Sequence, residues 1–278
     1  VSSAADTALR STGGALPYPL DPGLRQRVVD HTVRAIAGTR VENDPFPHIA
    51  VHSFLPPEVY AEAVSRRLPA EHYETFAHGY KNRGRLRFDG ESLRRLPSAE
   101  QTFWFSVRSA LGAAELKKTI FEKFAAALAL RFGCDPGEAA GLDGFALPEL
   151  YRETEGYSIK PHPDTRKKVV TMQISLAPDE TQADLGTELY RLSLNPARWS
   201  REFKGFEMVR RMPFSPNSGY AFVVFNTLQV RSWHGRSELR KGCGVRDSLL
   251  NIWYAKPEHA NRELVDELRV FDPQAQAA

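Results

Sequence analysis

Between Leu24 and Ala37 the apolar side chains fall at Leu24, Val28, Val29, Val33 and Ile36, with charged residues between them. Spacings of three and four put them on one face of a helix, so the pattern predicts an amphipathic helix here. FPHIAVHSFL (46–55) then alternates like a strand. PPEVYAEAVSRRL (56–68) opens on prolines, which suit a first helical turn, and continues at helical spacing. Residues 97–132 read as two helices interrupted near Gly112, with Ser98 as N-cap and GCDPG (133–137) as the stop.

Beyond residue 145 the period shortens. KKVVTMQISLA (167–177), GTELYRL (186–192), GYAFVVFNT (219–227) and SLLNIWYA (248–255) are short apolar or alternating runs. LAPDETQADLG (176–186) and FSPNSG (214–219) separate them as turns. Several short strands with turns between them predict a sandwich or jelly roll. Residues 1–22, punctuated by Gly13, Gly14, Pro17, Pro19 and Pro22, read as an arm, and 257–278 as a tail. The expected organisation is one domain over 23–278, with helical support over about 23–144 and a β core over about 145–256. The chain carries no internal repeat and no low-complexity segment.

Composition narrows the classes. A chain of 278 residues, 42% hydrophobic and 26% charged, can bury a full core. Its 37 basic and 34 acidic residues give only +3, too little to argue for nucleic acid by charge, and no nucleic-acid motif is present. Two cysteines, Cys134 and Cys243, make no disulfide framework and suit a reducing compartment. Neither a secretory signal pattern nor an apolar stretch long enough for a membrane is found, so a cytoplasmic protein without membrane contact is the expectation. Oligomeric state has no signal in the sequence.

The candidate chemistry begins in YSIKPHPDTRKKVV (157–170). In extended backbone residues i and i+2 face one side, so His162 and Asp164 can aim an imidazole and a carboxylate at one point. Such a pair alone is commonly a surface turn. His234 in VRSWHGRSE (230–238) supplies a second imidazole after a strongly strand-like run. Two histidines and one carboxylate leave open coordination positions and suit non-haem Fe(II). Arg246, twelve residues after His234, opens RDSLLNIWY, and alternation puts Ser248 on its face. A guanidinium with a hydroxyl suits a carboxylate.

These segments together, ELYRETEGYSIKPHPD (149–164), GTELY, PNSGYAFVVFNTLQVRSWHG (216–235) and RDSLLNIWY, resemble the 2-oxoglutarate/Fe(II)-dependent oxygenases, in particular their prolyl-hydroxylase-like branch. The resemblance covers roughly 145–256, and FPHIAVHSFLPPEVYAEAV resembles the strand-helix lead-in of bacterial members. It implies a mainly β fold with α support, a double-stranded β-helix (cupin-like jelly roll) packed on the N-terminal helices. It further implies Fe(II) on His162, Asp164 and His234, the 2-oxoglutarate C5 carboxylate on Arg246 and Ser248, Tyr151 near that cosubstrate, and O2 as the other cosubstrate. No catalytic side chain beyond the metal ligands is implied. The implied reaction is hydroxylation of an aliphatic C–H bond with release of succinate and CO2. An intact Asp164 points away from the related halogenases, which carry Gly or Ala there. Thr187 departs from the family's Gly-Gly-x-Leu pattern in a strand that is expected to be structural.

The substrate class expected is a small molecule, an amino acid or natural-product intermediate, with peptidyl or sugar substrates as alternatives. Arg166-Lys167-Lys168 and the Arg83, Arg85, Arg87 group beside Tyr80 and Phe88 read either as attraction for an anionic substrate or as a solvated face, the usual state of charged residues. Gln173 and Asn226 lie on predicted strands and read either as pointing into the barrel or, as polar strand residues more often do, as facing solvent, and Trp233 and Trp253 read as packing. His31, His48, His52, His72, His78 and His259 have no comparable setting. Segments 76–92 and 178–218 are the expected lid material. Rival readings are a cupin-like metal dioxygenase without a cosubstrate and a non-catalytic binding protein on the same scaffold.

Overall fold

A computed structural model describes residues 18–76 and 81–264. The first predicted helix is α1 (Pro22–Ala37), capped by the Asp21 carboxylate, which accepts from the Leu24 N–H at 3.0 Å, and it buries Leu24, Val28, Val29 and Ile36. Tyr18 stacks on Phe105 with ring centroids 4.5 Å apart, so the end of the expected arm is already docked. The rest of that arm, 1–17, lies outside the described residues. Further helices are α2 (Pro57–Ser65), α3 (Gly90–Arg94), α4 (Ser98–Leu111), α5 (Ala114–Lys123) and α6 (Ala125–Phe132). Ser98 is the first helical residue rather than the cap, because Pro97 occupies the cap position and no side chain bonds the helix end. The stretch expected as one helix after Gly112 is two, broken at Phe124, where φ is −98° and ψ 17°. Apolar spacing runs through that one-residue departure unchanged, which is why periodicity alone does not register it.

Among the described residues eleven strands follow in chain order. They are β1 (His48–Val51), β2 (Glu74–Thr75), β3 (Arg83–Arg87), β4 (Phe145–Glu153), β5 (Ile159–His162), β6 (Lys168–Ser175), β7 (Glu188–Leu192), β8 (Phe206–Arg211), β9 (Gly219–Val223), β10 (His234–Arg236) and β11 (Arg246–Tyr254). They form a seven-stranded sheet, β1-β9-β6-β11-β4-β3-β2, and a four-stranded sheet, β5-β10-β7-β8, antiparallel throughout. From β4 to β11 the chain passes back and forth between the two sheets. First and last strands pair, β4 with β11 and then β5 with β10, which is the winding of a double-stranded β-helix. Both segments expected as lid material contribute strands: β3 extends the large sheet beside β4, and β8 edges the small one.

Alternation sorts the large sheet into two chemically different faces. Val170, Met172 and Ile174 of β6, Leu249 and Trp253 of β11, and Ala146 and Leu150 of β4 join one apolar core with α1, α4 and α5. The intervening residues, Thr171 and Gln173 of β6 and Glu149, Tyr151 and Glu153 of β4, turn to the other side and line a cavity between the sheets. A polar inner face is compatible with burial only if its groups pair with one another or with a ligand. The first turn of the expected tail docks too, as Glu263 accepts from the Gly90 N–H at 2.6 Å. No described helix is long and apolar enough to cross a membrane.

One glycine fixes how closely the small sheet closes. A Cβ on Gly186 would lie 1.3 Å from the carbonyl oxygen of Met212. Gly186→Ala is therefore expected to force the backbones of β7 and β8 apart, at a cost of about 1–3 kcal/mol or more. For a chain of this size that is a fall in Tm of roughly 5 °C or more, and an unchanged thermal melt would contradict the close approach.

Candidate functional site

Sheet register assembles the metal-type donors. His162 ends β5, His234 begins β10, and the two are direct partners across the antiparallel pair. Their ring centroids lie 4.5 Å apart. Asp164, two residues beyond the end of β5, brings a carboxylate oxygen to 4.0 Å from His234 Nε2. One ligand atom from each of the three lies within 4.8 Å of the others.

Each donor is held in a ligating form. His162 Nδ1–H donates to the Lys160 carbonyl at 2.9 Å, and His234 Nδ1–H to the Ser232 carbonyl at 2.9 Å. A carbonyl can only accept, so the proton sits on Nδ1 and Nε2 keeps its lone pair. Burial lowers the His162 pKa and brings His234 down to about 4, against the pull of Asp164 in both cases. Asp164 is buried, which alone would raise its pKa, but Lys168 and His234 hold its carboxyl well below the usual range. Lys168 Nζ donates to Asp164 Oδ1 at 2.6 Å and Thr171 Oγ1 to Oδ2 at 2.8 Å, which fixes the carboxylate plane. Two neutral imidazoles and one carboxylate at neutral pH are the protonation state that a divalent transition metal requires.

The three donors open on a cavity of about 200 Å3 between the sheets. Its inner end is a buried ionic cluster. Arg246, 1% exposed, pairs through Nη1 with Glu153, donates from Nε to the Leu185 carbonyl at 2.8 Å, and from Nη2 to Gln173 Oε1 at 3.3 Å. Arg83 Nε lies 3.1 Å from the other Glu153 oxygen. Burial would push the Glu153 carboxyl up, but Arg246 and Arg83 together hold it below its ordinary value. Gln173 Oε1 also accepts from Tyr220 at 2.7 Å and Thr187 at 3.2 Å, and Gln173 Nε2 donates to Ser248 Oγ at 2.8 Å.

Several expectations are revised by these placements. Gln173 is a buried hub of the cavity wall rather than a solvent-facing residue, because the inner face of the large sheet faces polar groups and not water. Thr187 lines the cavity instead of serving only the strand. Asn226 lies beyond the end of β9 and donates to the Asp164 carbonyl at 3.0 Å, so it supports a donor residue. Ser248 shares the face of Arg246 but is fully buried behind Gln173 and does not line the cavity. Tyr151 does line it, with its hydroxyl donating to Glu149 at 2.7 Å and the Arg83 guanidinium 4.2 Å over its ring.

The two basic groups divide between the readings offered for them. Lys168, Arg83 and Arg85 face the cavity, while Arg166, Lys167 and Arg87 are exposed. Alternation alone cannot say which of its two faces meets solvent. Trp233 packs edge-on against Phe206, and Trp253 is buried in the main core. His31 and His48 bond backbone carbonyls away from the donor group, and His78 and Tyr80 lie outside the described residues. Arg236 also lines the cavity, although no motif in the sequence singles it out. The available signal was its position two residues after His234 on a strand, which puts both on one face.

No family model and no curated protein matches the chain. It is similar to solved structures at low identity. A prolyl 4-hydroxylase of Phytophthora capsici is 10% identical, with a TM-score of 0.48 over 88% of this chain and 70% of that one. An oxidoreductase of the 2OG-Fe(II) oxygenase family from Burkholderia pseudomallei is 14% identical, with a TM-score of 0.43 over 87% of this chain and 95% of that one. HygX from Streptomyces hygroscopicus, solved with nickel, 2-oxoglutarate and hygromycin B, is 10% identical, with a TM-score of 0.42 over 84% of this chain and 87% of that one. Likeness at this level leaves the assignment to the residues of the site.

Proposed function

We propose that this chain is an Fe(II)- and 2-oxoglutarate-dependent oxygenase that hydroxylates an aliphatic carbon of a small, anionic molecule. The observation that carries the reading is the junction of β5 and β10, which brings His162, Asp164 and His234 together at one end of a cavity whose other end is lined by buried arginines. The donor set suits Fe(II): two imidazole nitrogens and one carboxylate, each already in its ligating protonation state. Bound there, the metal and cosubstrate supply oxidative decarboxylation to succinate and CO2 coupled to attack on a C–H bond.

The chain's own part is positioning. The two Nδ1–H bonds fix the histidine tautomers, and Lys168 with Thr171 aims the Asp164 carboxylate. Leu250 and Ile252 give the cavity an apolar wall that limits water near the reacting carbon. Support for an anionic substrate comes from the balance of the wall, where Arg83, Arg85, Lys168, Arg236 and Arg246 outnumber three carboxylates.

Metal-free protein titrated anaerobically with Fe(II) and then 2-oxoglutarate tests the reading. A weak visible charge-transfer band is expected on the second addition, and none in His162→Ala. Folded, iron-loaded wild type that stays colourless would favour a metal dioxygenase that needs no cosubstrate.

A further inference from the structure

Arg246 is the residue from which resemblance expects the cosubstrate's distal carboxylate to hang, yet the protein already occupies much of it. Glu153 takes Nη1, the Leu185 carbonyl takes Nε and Gln173 Oε1 takes Nη2. Arg236 stands beside it in a different state. It is 5% exposed, lines the same cavity and, among the described residues, bonds only the carbonyls of Leu185 and Gly186, both through Nη1. Its Nε is buried with no hydrogen-bond partner. Among the described residues no carboxylate lies in salt-bridge contact with it, unlike Arg83, Arg246 and Arg211.

The two guanidiniums also converge. Arg236 Nη1 and Arg246 Nε donate to the same Leu185 oxygen, at 2.5 and 2.8 Å, so those nitrogens are no farther apart than two hydrogen bonds end to end. A buried guanidinium nitrogen left without an acceptor is costly unless a ligand supplies one. Gly235 helps to aim the side chain. A Cβ there would lie 2.7 Å from the Ile159 carbonyl, so β10 packs tightly on β5, and His234 and Arg236 share the cavity-facing side.

We infer that Arg236 is a specificity-determining residue that binds the distal carboxylate of 2-oxoglutarate directly, with Arg246, held by Glu153, as the second arm of a two-arginine clamp. The inference rests on the functional reading above. It departs from that resemblance in moving the principal contact to a residue two positions after the distal histidine.

The test uses calorimetry on Mn(II)-loaded protein under nitrogen, with 2-oxoglutarate and with 2-oxopentanoate, a 2-oxo acid of the same chain length that lacks the distal carboxylate. Wild type is expected to prefer 2-oxoglutarate. Arg236→Met is expected to weaken 2-oxoglutarate by about tenfold to a hundredfold, the worth of one charge-assisted hydrogen bond. Its affinity for 2-oxopentanoate is expected to be unchanged, which also shows that the site has folded. Arg236→Lys, which keeps the charge and loses the fork, is expected to fall between them, and it decides by the same ratio if Arg236→Met binds neither acid. Wild-type preference retained in the variants would overturn the inference and leave the functional reading standing. Mn(II)-loaded wild type that binds no 2-oxoglutarate would overturn both.

Discussion

An Asp164→Ala variant is expected to fold, to bind Fe(II) more than about a hundredfold more weakly than wild type, and to release no succinate above a protein-free control. The hundredfold is the upper end of what loss of an outer-shell partner costs, and Asp164 is a direct donor in the proposed site, so it serves as a lower bound. Folding should survive because of what the carboxylate leaves behind. Its partner Lys168 is 20% exposed and can turn its ammonium to water, and the Thr171 hydroxyl is small. Nothing fully buried and charged is stranded. Metal titration and succinate assays on the same preparation check the prediction, and wild-type turnover in the variant would remove Asp164 from the metal site.

At the inner end of the cavity the same kind of change has the opposite consequence for folding. Glu153→Gln is expected to destabilise the protein by about 3–5 kcal/mol, the cost of breaking a buried ion pair from one side. For a chain of this size that corresponds to a fall in Tm of roughly 10 °C. Glu153 and Arg246 are each 2% exposed in their side chains, and Arg83 also leans on the carboxylate. Removing this negative charge takes from Arg246 and Arg83 the carboxylate they share. Adding Arg246→Met is expected to recover part of the loss, since it removes a charge that the first change left without a partner.

The pH dependence follows from the direction of the Glu153 shift. Its carboxyl is depressed in the folded state, so its contribution is present above the ordinary glutamate range and is lost as pH falls through the folded value. Urea melts of wild type and Glu153→Gln are therefore expected to differ most at neutral pH and to converge in acid. Equal midpoints at neutral pH would mean that water, rather than Glu153, neutralises the cluster.

Much of this molecule is written locally. The amphipathic period of α1, the alternation of β6 and β11 and the turn residues between them are properties of neighbouring residues, so their elements can be read directly. The His162-x-Asp164 pair is local in the same sense, as is the sharing of one face by His234 and Arg236, because strand geometry fixes where i and i+2 point. What alternation leaves open is the identity of the face. Gln173, Arg83 and Arg85 can face either solvent or the barrel by pattern alone, and the second sheet makes them the wall of a cavity.

Tertiary structure decided the pairing of charges. Glu153 and Arg246 stand 93 positions apart in the chain and meet because β4 and β11 pair in that register. Register is set by the burial of whole strand faces over many residues, and no short segment contains it. The sequence by itself determined the local elements and the side chains they carry, His162, Asp164 and His234 among them. Only the folded sheets determined that Arg246 pairs with Glu153 while, among the described residues, no carboxylate makes a salt bridge with Arg236.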